Sequence, residues 1–218
     1  MLEVKNASLK FGSEYIWKDV NFMIEDRKFI AIVGPNGSGK SSLLRAIAGL
    51  NPLNSGKIIF DGVRVKDHGE AVSYVPQFTE LNRQIPLRGI DFVKLGLYGH
   101  HWGLSTRKHE RRHQIEIEEL LKKLDAYSYA DKSVTELSGG QLQRLRVAQA
   151  LICKPKLLLC DEALASLDVY SQEVIVQTIN EQRNATDMTV LFISHEMEAL
   201  TKVIDKELEV ANKEVKWV

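Results

Sequence analysis

Three short, uninterrupted apolar runs dominate the hydrophobic pattern of the chain, at residues 29–33, 157–160 and 190–193. Each run ends directly in glycine or polar residues, namely Gly34, Asp161 and Ser194. Apolar runs of this length are typical of parallel strands that are covered on both faces. Because such sheets carry their chemistry at the carboxyl ends of the strands, the pattern predicts an α/β fold with a site at those ends.

Alternating patterns flank these runs at both ends of the chain. Residues 2–11 partly alternate apolar and polar positions, meet Gly12 and Ser13, and continue to Phe22 and Ile24. This pattern predicts short antiparallel strands, and hence an N-terminal antiparallel β subdomain. Residues 207–218 alternate again around positions 211–213, which predicts a closing hairpin.

The stretch from about residue 78 to residue 130 is helical in character. Its apolar residues recur at intervals of three and four, as in an amphipathic helix, at Ile115, Ile117, Leu120, Leu121 and Leu124. We interpret it as a helical lobe inserted into the α/β core. The resulting organisation is one domain over residues 1–218, with the core and β subdomain at 1–76 and 157–218 and a helical subdomain at 77–156.

Composition narrows the function classes. The chain has 218 residues, enough for one sizeable core, and its 29 basic residues balance its 29 acidic ones. This balance argues against a generally basic nucleic-acid binder. We find no secretion signal and no apolar run near the roughly 20 residues that span a bilayer. We therefore expect a cytosolic chain in which Cys153 and Cys160 are free, buried thiols.

Residues 34–41 match the phosphate-loop pattern G-x-x-x-x-G-K-[ST] between an apolar run and a plausible helix at 42–48. The glycines let successive N–H groups face one phosphate, Lys40 adds a point charge, and the Ser41 hydroxyl can ligate Mg²⁺. A GTPase is disfavoured because residues 212–215 lack the aspartate of a guanine-reading motif. The residues assigned to the nucleotide here are Gly34, Pro35, Asn36, Gly37, Ser38, Gly39, Lys40, Ser41 and Ser42.

Two adjacent carboxylates, Asp161 and Glu162, follow the second apolar run. Asp161 is suited to hold Mg²⁺, directly or through water. Glu162 would then polarise a water molecule beside the γ-phosphate. The pair therefore predicts hydrolysis in addition to binding.

Residues 137–141, Leu-Ser-Gly-Gly-Gln, place a serine and two glycines at a helix start, which is a second anion-binding cap. Here the chain resembles the ABC ATPase family, whose signature motif has this sequence. The resemblance implies a P-loop NTPase (RecA-like) core with ATP and Mg²⁺ as cofactors. It also implies a head-to-tail homodimer in which the signature of each chain completes the partner's ATP site, through Ser138, Gly139, Gly140 and Gln141.

Four further positions match the family pattern, so their roles are carried over from it. Gln77 resembles the Q-loop glutamine that touches Mg²⁺ and the attacking water, and Asp168 resembles the D-loop aspartate at the dimer interface. His195 resembles the switch histidine that contacts the γ-phosphate. Phe11 stands where the family stacks an aromatic ring on adenine. The expected catalytic set is Lys40, Gln77, Glu162 and His195, and the expected metal ligands are Ser41, Gln77 and Asp161.

One position departs from the family pattern. Ala163 stands where the family usually has proline after the catalytic glutamate. Proline would stiffen the backbone there, whereas alanine removes no reactive group. We therefore expect activity to survive.

Residues 95–104, which contain Gly-x-Tyr-Gly and end in Trp-Gly-Leu, look like the zinc and manganese importer branch of the family. That resemblance implies integral-membrane permease subunits as partners, an extracytoplasmic substrate-binding protein indirectly, and no nucleic acid. It also implies a cytoplasmic location, peripheral on the inner face of the cell membrane. An iron–siderophore or other small-solute importer and a non-transport ABC ATPase remain alternatives. The histidines of the lobe are interpreted as surface residues: His100, His101, His109 and His113.

Overall fold

The structure is a computed structural model that describes residues 1–67, 71–77, 86–98, 107–165 and 167–218. The side chains of residues 66, 98 and 107–109 also lie outside the description. Within the described parts the strands are β1 (Leu2–Phe11), β2 (Glu14–Ile24), β3 (Phe29–Val33), β4 (Ser55–Phe60), β5 (Val63–Arg64), β6 (Val72–Val75), β7 (Leu157–Asp161), β8 (Thr189–Ile193), β9 (Lys206–Ala211) and β10 (Glu214–Trp217). The α-helices there are α1 (Lys40–Ile47), α2 (Gly89–Tyr98), α3 (Arg107–Lys123), α4 (Gly139–Ile152) and α5 (Val169–Thr186).

The predicted central strands lie side by side. The larger sheet has the order β10-β9-β3-β8-β7-β6, in which β3, β8, β7 and β6 are parallel neighbours. Every residue of β7 and β8 is buried, as a continuous apolar run requires. The α/β prediction is therefore confirmed, and four parallel strands end along one edge of the sheet.

The closing hairpin is confirmed, but one of its strands has a second role. β9 and β10 pair antiparallel, and β9 also runs parallel to β3. The hairpin thus extends the central sheet on the side away from β8. Alternation along residues 207–218 indicates a hairpin but carries no information about which strand it joins.

The N-terminal antiparallel sheet is also confirmed, with the order β2-β1-β4-β5. β1 and β2 pair antiparallel across the turn at Gly12, whose φ is +61°. The inner faces of these strands bury Leu2, Leu9, Trp17 and Ile24 at 2% exposure or less. α1 packs into the same core through Leu43, Leu44 and Ile47, which are fully buried, so this core also supports the helix that follows the phosphate loop.

The helical lobe contains α2, α3 and α4. Ile117, Leu121 and Leu124 of the predicted apolar stripe are fully buried, and Leu120 is nearly so, whereas Ile115 is 52% exposed. Ile115 therefore does not belong to the buried stripe, because it stands two positions before Ile117, about 200° away around the helix. Residues 78–85 and 99–106 lie outside the described residues, and the subdomain boundaries remain a sequence-based prediction.

Cys153 and Cys160 are free thiols. Cys160 is buried, and burial raises the pKa of its thiol. Cys153 is only partly buried, which corrects the expectation of two buried thiols, and its sulfur lies 3.1 Å from the Ser73 hydroxyl. Within the part of the chain that the structure describes, no helix is long and apolar enough to cross a membrane.

Candidate functional site

The topology brings the predicted catalytic residues to one edge of the sheet. The phosphate loop follows β3, Gln77 follows β6, Asp161 ends β7, and His195 follows β8. Because these strands are parallel neighbours, residues from four separate parts of the sequence meet at their carboxyl ends. An open cleft of about 490 Å³ lies there, lined by Ile16, Asn36, Gly37, Gly39, Lys40, Ser41, Ser42, Gln77, Glu162 and His195.

Two glycines of the phosphate loop are required by its geometry. Gly34 has φ +139°, and a Cβ atom there would lie 2.1 Å from the carbonyl oxygen of Val210 in β9. Gly39 has φ +100°, and its Cβ would lie 2.4 Å from the Ile16 side chain. Both positions therefore combine a left-handed backbone with a close neighbour, which excludes a side chain. The loop runs directly into α1, whose N-terminus carries positive partial charge toward the cleft.

Lys40 is the first residue of α1, and its side chain folds back over the loop. Its ammonium donates to the carbonyl oxygens of Gly34, at 2.8 Å, and Pro35, at 2.9 Å. The residue is only 6% exposed overall. These bonds hold a positive charge above the loop, so a phosphate entering the cleft meets a cation that is already oriented.

Ser41 and Asp161 lie together beneath the loop. The Ser41 hydroxyl donates to Oδ1 of Asp161 at 2.8 Å, and the Asp161 residue is 2% exposed. Oδ2 of the same carboxylate accepts from the Tyr74 hydroxyl, also at 2.8 Å. Burial raises the pKa of the Tyr74 phenol, and the adjacent carboxylate raises it further, so the phenol remains a proton donor.

Glu162 lies between the two other predicted catalytic side chains. Its carboxylate accepts from Nε2 of Gln77 at 2.6 Å and lies 3.5 Å from Nε2 of His195. Its backbone has φ +50°, an uncommon value for a glutamate, and its N–H donates to Ile193 at 3.0 Å. Adjacent strands therefore hold the carboxylate, the amide and the imidazole together.

The signature segment begins α4 but is not among the described residues that line the cleft. Ser138 is the N-cap residue, and its hydroxyl accepts from the Gln141 N–H while the Gln141 side chain accepts from the Ser138 N–H. This capping box satisfies two backbone N–H groups at the N-terminus of α4. Phe11, which is 57% exposed, and Asp168 are likewise absent from the cleft lining in the described chain.

Arg144 connects the signature helix to the start of α5. Its guanidinium donates to the Asp125 carboxylate at 2.8 Å and to the Ser171 hydroxyl at 2.7 Å. Ser171 in turn donates its hydroxyl and its N–H to Asp168, the N-cap residue of α5. The Ser171 hydroxyl and then its N–H lower the pKa of the Asp168 carboxyl. The signature helix and the predicted D-loop aspartate are thus joined by a continuous polar network.

Sequence reasoning missed two residues of this site. Tyr74 lies three positions before Gln77 on the short strand β6, and its hydroxyl could have been noticed as the last polar group on that strand. Ile16 lines the cleft from β2, far from any motif. Only the folded antiparallel sheet brings it against Gly39, so no sequence signal pointed to it.

The chain is similar to proteins of known families. The family model described as "ABC transporter" matches residues 17–165. A zinc import ATP-binding protein ZnuC of Rickettsia bellii is 33% identical over 94% of this chain and 81% of its own length. A manganese transport system ATP-binding protein MntB of Bacillus subtilis is 30% identical over 94% of this chain and 80% of its own length.

Similarity extends to relatives with other substrates and to solved structures. A sulfate/thiosulfate import ATP-binding protein CysA of Synechocystis is 32% identical over 99% of this chain, which spans only 59% of that relative. A dimeric, post-hydrolysis structure of the ATP-binding cassette MJ0796 with ADP and Pi is 27% identical. It covers 99% of this chain and 97% of its own chain, with a TM-score of 0.83.

Proposed function

The chain belongs to the ABC transporter family of ATP-binding proteins, and on that premise we propose that its cleft hydrolyses ATP to drive an importer. The observation that carries this proposal is the convergence of four strand ends on one cleft. A buried lysine, a Ser41–Asp161 pair and a Glu162 carboxylate bonded to Gln77 meet there. Family membership supplies the reaction class, ATP hydrolysis, and the positions of these side chains support the role proposed for each.

Lys40 and the phosphate loop bind the nucleotide in this proposal. On ATP binding, the Lys40 ammonium exchanges the carbonyls of Gly34 and Pro35 for phosphate oxygens, which carry full charge and therefore form stronger bonds. Loop amides and the N-terminus of α1 contribute further donors. Phe11, whose ring is exposed at the end of β1, would stack on the adenine, and Ile16 of the adjacent strand β2 would contact the nucleotide.

The residues present fit a magnesium ion. A hydroxyl, a carboxylate and an amide oxygen, from Ser41, Asp161 and Gln77, are the hard oxygen ligands that this ion prefers. The Ser41 and Asp161 oxygens already lie 2.8 Å apart. When bound, Mg²⁺ supplies charge neutralisation on the phosphate oxygens.

Glu162 is the general base of the proposed reaction. Its carboxylate takes a proton from a water molecule that attacks the γ-phosphate, and Gln77 orients that carboxylate through its amide N–H. His195, 3.5 Å from Glu162, is placed to donate to a γ-phosphate oxygen. The position of Glu162 in the cleft lining supports this assignment.

We propose that a second copy of the chain completes the site. The signature residues 138–141 form a capped helix N-terminus suited to an anion, and they do not line the described cleft of their own chain. A head-to-tail dimer would place this cap, with Asp168 nearby, against the γ-phosphate bound to the partner. The dimeric state of the MJ0796 cassette supports this arrangement.

The identity of the transported substrate is a separate proposal. Relatives named for zinc import and manganese transport share about a third of this sequence over most of its length, so we propose a transition-metal ion. The sulfate/thiosulfate relative is equally similar, which makes another small solute the second candidate. In either case the chain would work at the inner face of the cell membrane with permease subunits, and indirectly with an extracytoplasmic binding protein.

Glu162→Gln tests the hydrolytic role. The amide keeps the shape of the side chain but cannot accept a proton, so ATP should still bind while turnover falls by roughly 100-fold or more. We expect ATP-dependent dimers to accumulate in size-exclusion chromatography. Glu196→Gln is the matched control, since it makes the same change on an exposed residue beside His195. Near-normal phosphate release by the Glu162 variant would refute the role of Glu162 as the base.

A further inference from the structure

The carboxylate of Asp161 is held from both sides by hydroxyl groups. Ser41 donates to Oδ1 from the first turn of α1, and Tyr74 donates to Oδ2 from β6. The residue itself is 2% exposed, so water has little access to replace either donor. The two bonds therefore fix the rotation of the carboxylate about its Cβ–Cγ bond.

The two donors are affected differently when the nucleotide and its metal bind. Ser41 belongs to the proposed metal ligands, so its hydroxyl oxygen would turn to the cation and give up its bond to Asp161. Tyr74 is not a proposed ligand, and its partly buried ring packs against the core that contains α1. β6 pairs with β7 in parallel register, with Tyr74 opposite Leu159 and Val75 opposite Cys160, directly before Asp161.

We propose that Tyr74 is a positioning residue for the metal that binds with the nucleotide. By holding Oδ2 of Asp161, the phenol keeps Oδ1 directed at Ser41. This inference rests on the proposed function, because it takes Asp161 as a metal ligand. It adds a residue to which none of the sequence motifs assigns a role. The phenol acts through Asp161 and touches neither the nucleotide nor the metal.

Removing the hydroxyl would leave Oδ2 without that donor in a buried position. A carboxylate in this state gains by rotating toward any other donor or by recruiting water, and either change moves Oδ1 from its position next to Ser41. The loss should therefore appear in the metal-dependent part of nucleotide binding. Nucleotide binding without metal depends on Lys40 and the loop amides, which Tyr74 does not contact in the described structure.

The experiment compares the affinity for a fluorescent ATP analogue in saturating Mg²⁺ with the affinity in EDTA. The ratio of the two affinities measures how much the metal increases the affinity for the nucleotide. We expect Tyr74→Phe to reduce this ratio roughly tenfold, as is typical for one hydrogen bond to a charged group, with the EDTA affinity within about twofold of wild type. Ser73→Ala is the matched control, because it removes the neighbouring hydroxyl of β6, which contacts Cys153 instead.

A double-mutant cycle separates positioning from folding. In an Asp161→Ala background both acceptor oxygens are absent, so Tyr74→Phe should change the ratio no further. Thermal unfolding of each variant checks that the fold persists. If Tyr74→Phe leaves the ratio unchanged, whether or not it lowers both affinities, the inference is wrong. If the wild-type protein shows no gain from Mg²⁺, the proposed metal site itself fails, and the inference fails with it.

Discussion

Gly96 lies where α2 packs tightly against α4. A Cβ atom at this position would lie 2.2 Å from the backbone oxygen of Gln149 and 2.9 Å from the Ile152 side chain. The Gln149 side chain strengthens the same contact by donating to the Phe92 carbonyl at 3.1 Å. Gly96 is also part of the stretch that resembles metal importers. The glycine is explained by helix packing, so it carries no information about the substrate.

Gly96→Ala should destabilise the chain by about 2 kcal/mol, because the added methyl group must push the two helices apart. Thermal denaturation should show a fall in Tm of several degrees. Leu95→Ala is the control on the same helix, since Leu95 is 51% exposed and its truncation leaves no buried cavity. A Gly96→Ala protein as stable as wild type would contradict this account of the helix contact.

At the scale of elements, the N-terminus of α4 serves two purposes. The bonds between Ser138 and Gln141 cap the helix in the isolated chain, and the same end is proposed to face the partner's γ-phosphate. A substitution that preserves the cap but changes its charge separates the two roles. Aspartate is such a residue, because its carboxylate caps helices as well as serine does.

Ser138→Asp should leave thermal stability unchanged or slightly raised, because a carboxylate favours a helix N-terminus. It should nevertheless abolish ATP-dependent dimers in the Glu162→Gln background, since the new carboxylate would face the negatively charged γ-phosphate bound to the partner. Ser133→Asp is the control, because it adds the same charge at the N-cap of the short 3-10 helix Val134–Glu136 in the lobe. Dimers that form normally with Ser138→Asp would contradict the proposed contact with phosphate.

The central elements could be predicted because each has a strong local signal. Strands β3, β7 and β8 are buried on both faces, and such strands read as continuous apolar runs. β6 has only four residues, three of them partly exposed, so it shows neither alternation nor a run, and Tyr74 was missed with it. Motif spacing located Lys40, Asp161 and Glu162. Contacts such as that between Ile16 and Gly39 depend on tertiary packing, which no local pattern records.

At the scale of the whole molecule, we expect the substrate to be selected by other subunits of the proposed importer. The zinc, manganese and sulfate relatives share the same type of ATP-binding subunit, so the cleft alone does not distinguish them. We expect the chain to copurify with an integral-membrane permease, and Zn²⁺ or Mn²⁺ with the cognate binding protein to raise ATP hydrolysis several-fold in reconstituted vesicles. A complex carrying Glu162→Gln is the control. Stimulation by sulfate in place of either metal would reject the metal assignment.

The contact between Gly34 and Val210 also affects when the site can form during synthesis. The phosphate loop is made early, yet it lies against β9, and β3 is flanked by β8 and β9, which are made more than 150 residues later. A nascent chain holding residues 1–150 thus contains the whole nucleotide-binding motif without the strands that support it. Such non-local pairing is slow and leaves strand edges exposed meanwhile. The nucleotide site should therefore mature only after residue 211 has emerged from the ribosome, which makes the early half of the chain dependent on protection from aggregation.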